Sequence, residues 1–174
     1  MQRRIAVKGS SGSGKSTLAT QLAQRLDITY IELDALHHGP NWSEPTVEEF
    51  CARVQRAMES NPGRWVIDGN YERKLGYLVT DAADTVVWLD LPLPVLVWRL
   101  LRRTWHRING RVELWSGNRE TWRDVLFTPN GLIPWTMRSY FRHRREWPRR
   151  FASHPGFVRL RSTRQAQAWL ARQS

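Results

Sequence analysis

Short apolar runs alternate along this chain with longer segments of helical periodicity. Five of the runs have the length and the apolar, β-branched character of buried strands: Ile5–Lys8, Thr29–Leu33, Trp65–Asp68, Thr85–Leu89 and Phe157–Leu160. Helical periodicity occupies the segments between and after them: Lys15–Leu26, Thr46–Ser60, Pro92–Arg107, Trp135–Ala152 and Thr163–Arg172. Strands separated by helices are typical of βαβ units, so the pattern predicts an α/β domain with a parallel sheet.

The same periodicity predicts which faces of the two long helices are buried. For Pro92–Arg107 it predicts a core stripe of Pro94, Val97, Trp98, Leu101 and Trp105. Arg99, Arg103 and Arg107 would then share the far side, where a solvated basic face is the ordinary explanation. For Trp135–Ala152 it predicts an apolar face of Met137, Tyr140, Phe141, Trp147 and Phe151. Arg144 lies at the centre of that face, so it must meet an anion, either a carboxylate or a bound phosphate.

The chain has 174 residues, which suits a single domain over 1–174. The stretch from about 108 to 134, centred on Gly110–Pro134, carries Gly, Pro and Asn without periodicity. It predicts an irregular lid inserted between two helices. No apolar run is long enough to span a membrane, and the single cysteine, Cys51, excludes an internal disulfide. We therefore expect a cytoplasmic protein whose Cys51 is part of the core, either a monomer or a homodimer.

Positive charge is concentrated in the second half. Residues 99–174 contain 17 arginines against four acidic residues, a net charge of +13, whereas residues 1–98 are slightly acidic. Arginine forms bidentate contacts with phosphate. On charge alone, both nucleotide phosphates and nucleic acid are candidates for the anion that this half meets.

The strongest chemical motif is Gly9–Ser16, which satisfies G-x-x-x-x-G-K-[ST] between a predicted strand and a predicted helix. Glycines let the backbone wrap closely around a phosphate, and the helix adds the positive end of its dipole. Lys15 is expected to reach the β- and γ-phosphates of ATP, and the Ser16 hydroxyl to ligate Mg²⁺. The motif thus predicts a P-loop.

Acidic residues follow three of the predicted strands, at the sheet edge where ligands bind in open parallel sheets. Asp68 fits a Walker-B-type role of holding Mg²⁺. Asp34 is expected to orient a phosphoryl acceptor or to act as a base toward its hydroxyl. For both Asp34 and Asp68 the alternative is a helix N-cap or turn residue. Asp90 either faces the site or caps the helix that begins near Pro92.

The polar loop after the second strand contains His37, His38 and Trp42. Trp42 could stack on a base or an aromatic acceptor, and a hydrophobic plug is an equally good interpretation. The adjacent histidines diverge on regular structure and have no third ligand at metal-like spacing, which argues against zinc. Trp65, Trp88 and Trp98 are predicted to belong to the core.

These motifs resemble the adenylate-kinase-like nucleoside monophosphate kinases over nearly the whole chain. The resemblance rests on the P-loop, the Asp68-Gly69 pair, and Arg99 with Arg103 on the helix after the fourth strand. It is closer to bacterial topology modulation proteins and adenylate-kinase-like ATPases. The segments that carry it are Leu33–Trp42, Val66–Tyr71 and Glu113–Glu120.

The resemblance implies a five-stranded sheet in the order 2-3-1-4-5 with flanking helices and a lid that carries Arg119. It implies Mg·ATP-dependent transfer of a phosphoryl group to a small acceptor near Asp34–Trp42. One departure affects the acceptor: Asn70, Tyr71 and Glu72 follow the Asp-Gly pair, where monophosphate kinases have an aromatic residue, Pro and Arg. The acceptor is therefore either a nucleotide or a small hydroxyl compound, as for shikimate and gluconate kinases, which carry an acidic residue at the position of Asp34.

The predicted site can be stated residue by residue. The catalytic candidates are Lys15, Asp34, Arg99, Arg103, Arg119 and Arg144. The candidates for binding ATP are Gly9, Ser10, Ser11, Gly12, Ser13, Gly14, Lys15, Ser16, Thr17, Arg103 and Arg161, with Ser16 and Asp68 for Mg²⁺. The candidates for binding the acceptor are Asp34, His37, Trp42, Asp68, Asn70 and Tyr71. The alternatives are an ATP-switched nucleic-acid-binding protein and an ATPase without an acceptor.

Overall fold

A computed structural model describes residues 3–127 and 131–173 of the chain. Its centre is a parallel sheet in the order β2-β3-β1-β4-β5. The strands are β1 (Arg3–Gly9), β2 (Thr29–Glu32), β3 (Arg64–Asp68), β4 (Thr85–Leu89) and β5 (Phe157–Leu160). The predicted fold class and strand order are confirmed.

Eight α-helices are present in the described part of the chain. They are α1 (Lys15–Leu26), α2 (Leu33–His37), α3 (Val47–Glu59), α4 (Glu72–Leu75), α5 (Leu78–Ala82), α6 (Leu93–Asn109), α7 (Leu132–Arg150) and α8 (Thr163–Ala171). The short helices α2, α4 and α5 were not predicted, and α7 begins three residues earlier than expected. Within residues 110–127 the chain forms a 3-10 turn at Trp115–Gly117 and a π-helical segment at Arg123–Phe127. None of the described helices is long and apolar enough to cross a membrane.

Both faces of the sheet are covered by helices, which explains why its central strands are mainly apolar between their ends. On β1, Val7 packs into a cluster with α1 and α8, and Ala6 packs into a second cluster with Phe50 of α3 and Trp147 of α7. Trp65 and Trp88 belong to the second cluster and are almost completely buried, as predicted. Cys51 packs against the same cluster. The apolar side chains of the strands therefore point into these two clusters, and the polar groups of the site lie at the ends of the strands.

The predicted core stripe of α6 is wrong. The buried residues are Leu96, Leu100 and Thr104, and Trp98 and Trp105 are 60% and 58% exposed. The reason is that α6 packs on the P-loop: a Cβ at Gly12 would lie 2.7 Å from the carbonyl oxygen of Leu96. The helix is therefore turned so that Leu96, Leu100 and Arg99 face the phosphate-binding loop. Periodicity alone favoured the bulkier tryptophans as core.

The predicted apolar face of α7 is partly wrong as well. Tyr140, Trp147 and the following Phe151 are buried, but Met137 and Phe141 are exposed. The rest of the buried face is polar, formed by Thr136, Ser139 and His143. Helix α7 thus brings polar groups toward the strand ends rather than only apolar side chains into the core.

Candidate functional site

The loop Gly9–Gly14 joins β1 to α1 in a tight curve. Gly12 and Gly14 have φ angles of 80° and 87°, a left-handed conformation that favours glycine. The amide of Ser13 donates to the carbonyl of Ser10 at 3.0 Å, which closes the turn. Gly14 is the N-cap residue of α1 and has no side chain to occupy the free N–H groups of the first turn. The loop therefore presents backbone donors and a helix N-terminus to a phosphate.

A buried carboxylate adjoins the loop. Asp68, at the end of β3, accepts a hydrogen bond from Ser16 Oγ at 2.7 Å and another from Tyr30 Oη at 3.2 Å. Burial raises the pKa of Asp68, and the nearby charge of Lys15 and the Ser16 hydrogen bond oppose that effect. A hydroxyl and a carboxylate are hard oxygen ligands of the kind that Mg²⁺ prefers. The predicted metal-binding pair is thus assembled at the carboxyl ends of the strands.

A buried charge cluster, which the sequence analysis missed, lies at the residue that precedes the P-loop. Lys8, the residue before Gly9, donates to the carbonyl of Gly69 at 2.8 Å and pairs with Glu72 at 3.0 Å. Burial disfavours the charged form of Glu72, but Lys8 outweighs this and lowers its pKa. His143 of α7 interacts electrostatically with this pair, and burial lowers its pKa to about 4, so it is neutral at pH 7. In the sequence, the lysine directly before the glycine-rich loop could have indicated this cluster.

Asn70, a candidate for binding the acceptor, contacts the backbone of the P-loop. Its Nδ2 donates to the carbonyl of Gly9 at 2.7 Å, and its Oδ1 accepts from the amide of Gly9 at 3.3 Å. Both ends of the side-chain amide therefore hold the entrance of the P-loop. The contact with an acceptor that we expected for Asn70 remains a prediction.

Asp34 lies in the first turn of α2, because β2 ends at Glu32 and the fully buried Leu33 begins the helix. Its Oδ1 accepts a hydrogen bond from Tyr71 Oη at 2.7 Å. The same hydroxyl lies 3.5 Å from His38 Nε2. Burial, and then the charge of Asp34, raise the pKa of Tyr71, so it is a donor at any ordinary pH. Two predicted acceptor residues, Asp34 and Tyr71, are thus in direct contact.

His37 is buried beside this pair. Its Nε2 lies 2.6 Å from Lys74 Nζ, which also forms an ion pair with Glu44 at 2.7 Å. Burial and then the charge of Lys74 lower the pKa of His37 to about 4. Its ring packs against Phe50 and Tyr71. The structure therefore places His37 under the acceptor region, as a support for Tyr71.

Glu32 and Trp42 complete this side of the site. Glu32 Oε2 accepts from Trp115 Nε1 at 2.9 Å, and burial raises its pKa, an effect that this hydrogen bond opposes. Trp42 is partly exposed and meets His38 edge-on, with 5.3 Å between the ring centroids. Its ring is thus neither fully buried nor detached from the loop.

The arginines of α6 turn inward. Arg107 and Arg103 pair with Glu120 at 2.6 and 3.5 Å. The Nε of Arg103 is buried with no hydrogen-bond partner among the described residues. Burial, and then the charge of Arg107, lower the pKa of Arg103. Arg99 donates to Thr163 Oγ1 at 2.8 Å, and its Nη1 would lie 3.9 Å from a Cβ at Gly14. The solvated-face interpretation is therefore wrong for Arg103.

The remaining predicted arginines lie apart. Arg119 pairs with Glu113 at 2.7 Å, and both side chains are largely exposed. Arg161 is exposed, and its backbone amide donates to Gln165 Oε1 at 2.7 Å. Thr17 is exposed in the first turn of α1. Arg119 thus pairs within its own segment, and the predicted roles of Arg119 and Arg161 stay predictions.

Arg144 contacts a carboxylate, one of the two anions left open above. Its Nε lies 3.1 Å from Asp90 Oδ1, and Arg159 pairs with Asp90 Oδ2 at 2.6 Å. The Asp90 side chain is only 1% exposed, whereas Arg144 is 43% exposed. Pro92, not Asp90, is the N-cap residue of α6. Asp90 is therefore the buried anchor of two arginines.

We expect Asp90→Asn to destabilise the fold by about 2–3 kcal/mol, because removing one partner strands two guanidinium groups beside a buried amide. The expected loss of stability is smaller than for a fully buried ion pair, because Arg144 is partly exposed to water. Urea unfolding followed by circular dichroism measures it. Asp81→Asn is the matched control, since Asp81 pairs with Arg150 at the surface and should change stability by less than about 1 kcal/mol. Equal effects would contradict the anchoring role.

Comparison with known proteins identifies the family. Residues 5–121 match the sequence model of a family described as an AAA domain. The chain belongs to this family. The match covers the P-loop, Asp34, Asp68 and Tyr71, whereas His143, Arg144, Arg159 and Arg161 lie beyond it.

Curated relatives of this AAA-domain protein match short segments. A bifunctional pantoate ligase/cytidylate kinase of Gloeobacter violaceus is 50% identical over 38 residues, which cover 22% of this chain and 7% of that protein. A cytidylate kinase of Nitrosococcus oceani is 34% identical over 80 residues, which cover 38% of this chain and 35% of that protein. The matched segments thus span at most about a third of these two relatives.

Solved structures match over almost the full length. A gluconokinase from Sinorhizobium meliloti has a TM-score of 0.54 at 22% identity, with 98% of this chain and 93% of that chain covered. A shikimate kinase from Bacteroides thetaiotaomicron has a TM-score of 0.56 at 16% identity, with 98% and 95% covered. At these identities the similarity shows the fold alone. The predicted adenylate-kinase-like P-loop family is confirmed, and the closer resemblance to topology modulation proteins stays a prediction.

Proposed function

We propose that this protein is an ATP-dependent phosphotransferase that transfers the γ-phosphoryl group of Mg·ATP to a hydroxyl of a small acceptor held beside Asp34. The observation that carries the proposal is the common location of two pairs at the ends of β2 and β3. Ser16 with Asp68 lies on the P-loop side, and Asp34 with Tyr71 lies on the acceptor side. Phosphoryl transfer requires nucleotide and acceptor sites that adjoin in this way.

The nucleotide side fits ATP and Mg²⁺. The backbone of Gly9–Gly14 would hold the β-phosphate, and Lys15 would neutralise charge on the β- and γ-phosphates. Ser16 and Asp68 would hold Mg²⁺, which supplies charge neutralisation when it is bound. Asp68 is buried, and its hydrogen bonds from Ser16 and Tyr30 orient both carboxylate oxygens.

On the side where the phosphoryl acceptor would bind, Asp34 can take up a proton. Asp34 Oδ1 accepts from Tyr71, so we propose that Oδ2 accepts the hydroxyl proton of the acceptor. The acceptor oxygen then bonds to the γ-phosphorus as the bond to the bridging oxygen of ADP breaks, and the proton passes to Asp34. Arg103 and Lys15 stabilise the negative charge that is spread over the transferring group. Arg99, whose Nη1 lies 3.9 Å from the Cβ position of Gly14, supports a kinase over an outward nucleic-acid surface.

The test is an acceptor panel. Purified protein with Mg·ATP would be incubated with cytidine monophosphate, deoxyadenosine, D-gluconate or shikimate, which relate to kinases of similar sequence or fold. We expect deoxyadenosine, D-gluconate or shikimate to raise ADP formation at least tenfold above the rate without acceptor, and mass spectrometry should find a product phosphorylated on a hydroxyl. Phosphorylation of cytidine monophosphate on its phosphate would support a kinase but contradict the hydroxyl acceptor. ADP formation that no compound stimulates would favour the ATPase alternative.

A second candidate function is binding of nucleic acid, which one surface favours. Trp98 and Trp105 are exposed on α6, and the Arg102 guanidinium lies 5.5 Å from the Trp98 ring centroid. Exposed aromatic rings with arginine are typical of single-strand binding surfaces. The +13 charge of residues 99–174 would add to the attraction.

Ligand-induced stabilisation separates the two candidates. Mg·ATP at about 100 times its Kd should raise the melting temperature by roughly 5–10 °C, since binding at that ratio stabilises a domain of this size by about 2.7 kcal/mol. We expect a smaller shift from a single-stranded oligonucleotide. A larger shift from the oligonucleotide, with a log–log salt slope of several units, would support the nucleic-acid function instead.

A further inference from the structure

Two segments far apart in sequence are joined beside the acceptor site. We call residues 37–42 the acceptor loop and residues 114–118 the clasp turn. Asn118 Nδ2 donates to the carbonyl of Gly39 at 2.9 Å, and Asn118 Oδ1 accepts from the amide of Trp42 at 2.9 Å. Ser116 Oγ donates to the carbonyl of His38 at 3.0 Å. Three hydrogen bonds between side chains and backbone therefore hold the acceptor loop to the clasp turn.

The clasp turn has a defined conformation of its own. The amide of Leu114 donates to the carbonyl of Asn118 at 2.7 Å, and the amide of Gly117 donates to the carbonyl of Leu114 at 3.1 Å. Asn118 is only 5% exposed, and its Nδ2 also donates to the carbonyl of Trp115 at 2.8 Å. A buried asparagine with these hydrogen bonds fixes both segments at once.

The clasp turn is also tied to the rest of the site. Trp115 donates to Glu32 at the end of β2, and its ring stacks on His38 with 5.6 Å between centroids. Two residues after the turn, Glu120 pairs with Arg107 and Arg103 of α6. The turn therefore bridges the acceptor loop and α6, the helix that packs on the P-loop.

A cavity adjoins this contact. Its volume is about 410 Å³, within the range of small-molecule sites. Its lining includes His38, Ser43, Glu44 and Arg53 from the acceptor side and Ser116 from the clasp turn. The clasp turn thus contributes a wall to a cavity that the acceptor loop lines, and His38 connects the cavity with Tyr71 beside Asp34.

We infer that the clasp turn is a fixed wall of the acceptor site, separate from any part of the insertion that closes as a lid, and that Asn118 is a positioning residue for the acceptor loop. This inference rests on the proposed function as far as it concerns the acceptor. A loop held at Gly39 and Trp42 keeps His38 over Tyr71 and so presents Asp34 in one geometry. Binding of the acceptor then needs less ordering of the loop.

Two variants of Asn118 and one control test the inference. Asn118→Ala removes both hydrogen bonds of Asn118 to the acceptor loop, and Asn118→Asp keeps the acceptor for the Trp42 amide but removes the donor to Gly39. Asn109→Ala makes the same chemical change at an exposed position at the end of α6. The melting temperature of each variant without ligand checks that it is folded.

The first readout is hydrogen exchange without ligand, which does not depend on catalysis. In the wild-type protein the amide of Trp42 should be protected, and Mg·ADP should leave that protection unchanged. Exchange at Trp42 should be about tenfold faster in Asn118→Ala, as expected for loss of a hydrogen bond, and nearly unchanged in Asn118→Asp and Asn109→Ala. An unprotected Trp42 amide in the wild-type protein, or an equal rate in all variants, overturns the inference.

The second readout separates positioning from a general structural role. With the compound of the acceptor panel that gives the highest rate, Asn118→Ala should raise the acceptor KM by about five- to tenfold. The KM for ATP should change by less than about twofold. An equal rise in both KM values would mean a general loss of structure and would contradict positioning. If no panel compound is phosphorylated, the proposed function fails while the exchange experiment still decides whether the turn is docked.

Discussion

Replacement of Lys15 by alanine should abolish ATP turnover, with a loss of at least about 10²–10³-fold in kcat. The physical reason is that a fixed positive charge on the transferring phosphoryl group acts in the transition state, and removal of one such group costs this much in related chemistry. Lys15 is partly exposed in the first turn of α1 and does not belong to either core cluster. The melting temperature without ligand should therefore change little.

The measurement is ADP formation by the purified variant with Mg·ATP and the best compound of the acceptor panel, and circular dichroism shows that the fold is intact. Gln24→Ala serves as the control, because Gln24 is exposed two turns further along α1 and should not touch the nucleotide. Undiminished turnover in Lys15→Ala would mean that the P-loop has no role in catalysis, which would contradict the proposed mechanism.

Asp34→Asn should lower kcat by about 10²–10⁴-fold while it leaves the affinity for Mg·ADP nearly unchanged. The range is that of general bases, since asparagine cannot take the proton of an acceptor hydroxyl. The change is nearly isosteric, and the Oδ1 of asparagine can still accept the hydrogen bond from Tyr71. Steady-state kinetics with the acceptor, together with calorimetric titration of Mg·ADP, provides both quantities.

Asp27→Asn is the control for this variant, because Asp27 is exposed in a left-handed conformation after α1, which asparagine tolerates well. It should retain full activity. A normal kcat in Asp34→Asn would exclude Asp34 as the base and leave it a binding role at most. A large loss of nucleotide affinity would instead show that the two sites are not separate.

The identity of the fold and of the nucleotide side was accessible from the sequence because both depend on local patterns. Five short apolar runs separated by helices predict a parallel sheet without reference to the other side chains. The order of the strands followed from the resemblance, and the structure has that order. The P-loop is contiguous, so its residues are adjacent in the chain and in space. Asp34 and Asp68 were singled out because strand ends meet at one edge of a parallel sheet, and their roles stay predictions.

Which face of each long helix is buried could not be predicted from the sequence in the same way. The exposed Trp98 and Trp105 of α6 made a better apolar stripe than Leu96 and Leu100. Periodicity measures how apolar a face is, but burial depends on what lies opposite. Here the neighbour is the P-loop, whose glycines admit close packing of a helix. The rotation of α6 therefore follows from a contact between residues more than 80 positions apart.

Pairings of charge at long range were decided by the tertiary structure alone. The sequence shows that Arg144 needs an anion, but Asp90 lies 54 positions away and was an equally good helix cap by its local context. Lys8 with Glu72, and Asn118 with the acceptor loop, are likewise pairs that no local spacing relates. A hydrogen bond depends on distances of a few ångströms, which the fold sets only once all the elements have packed.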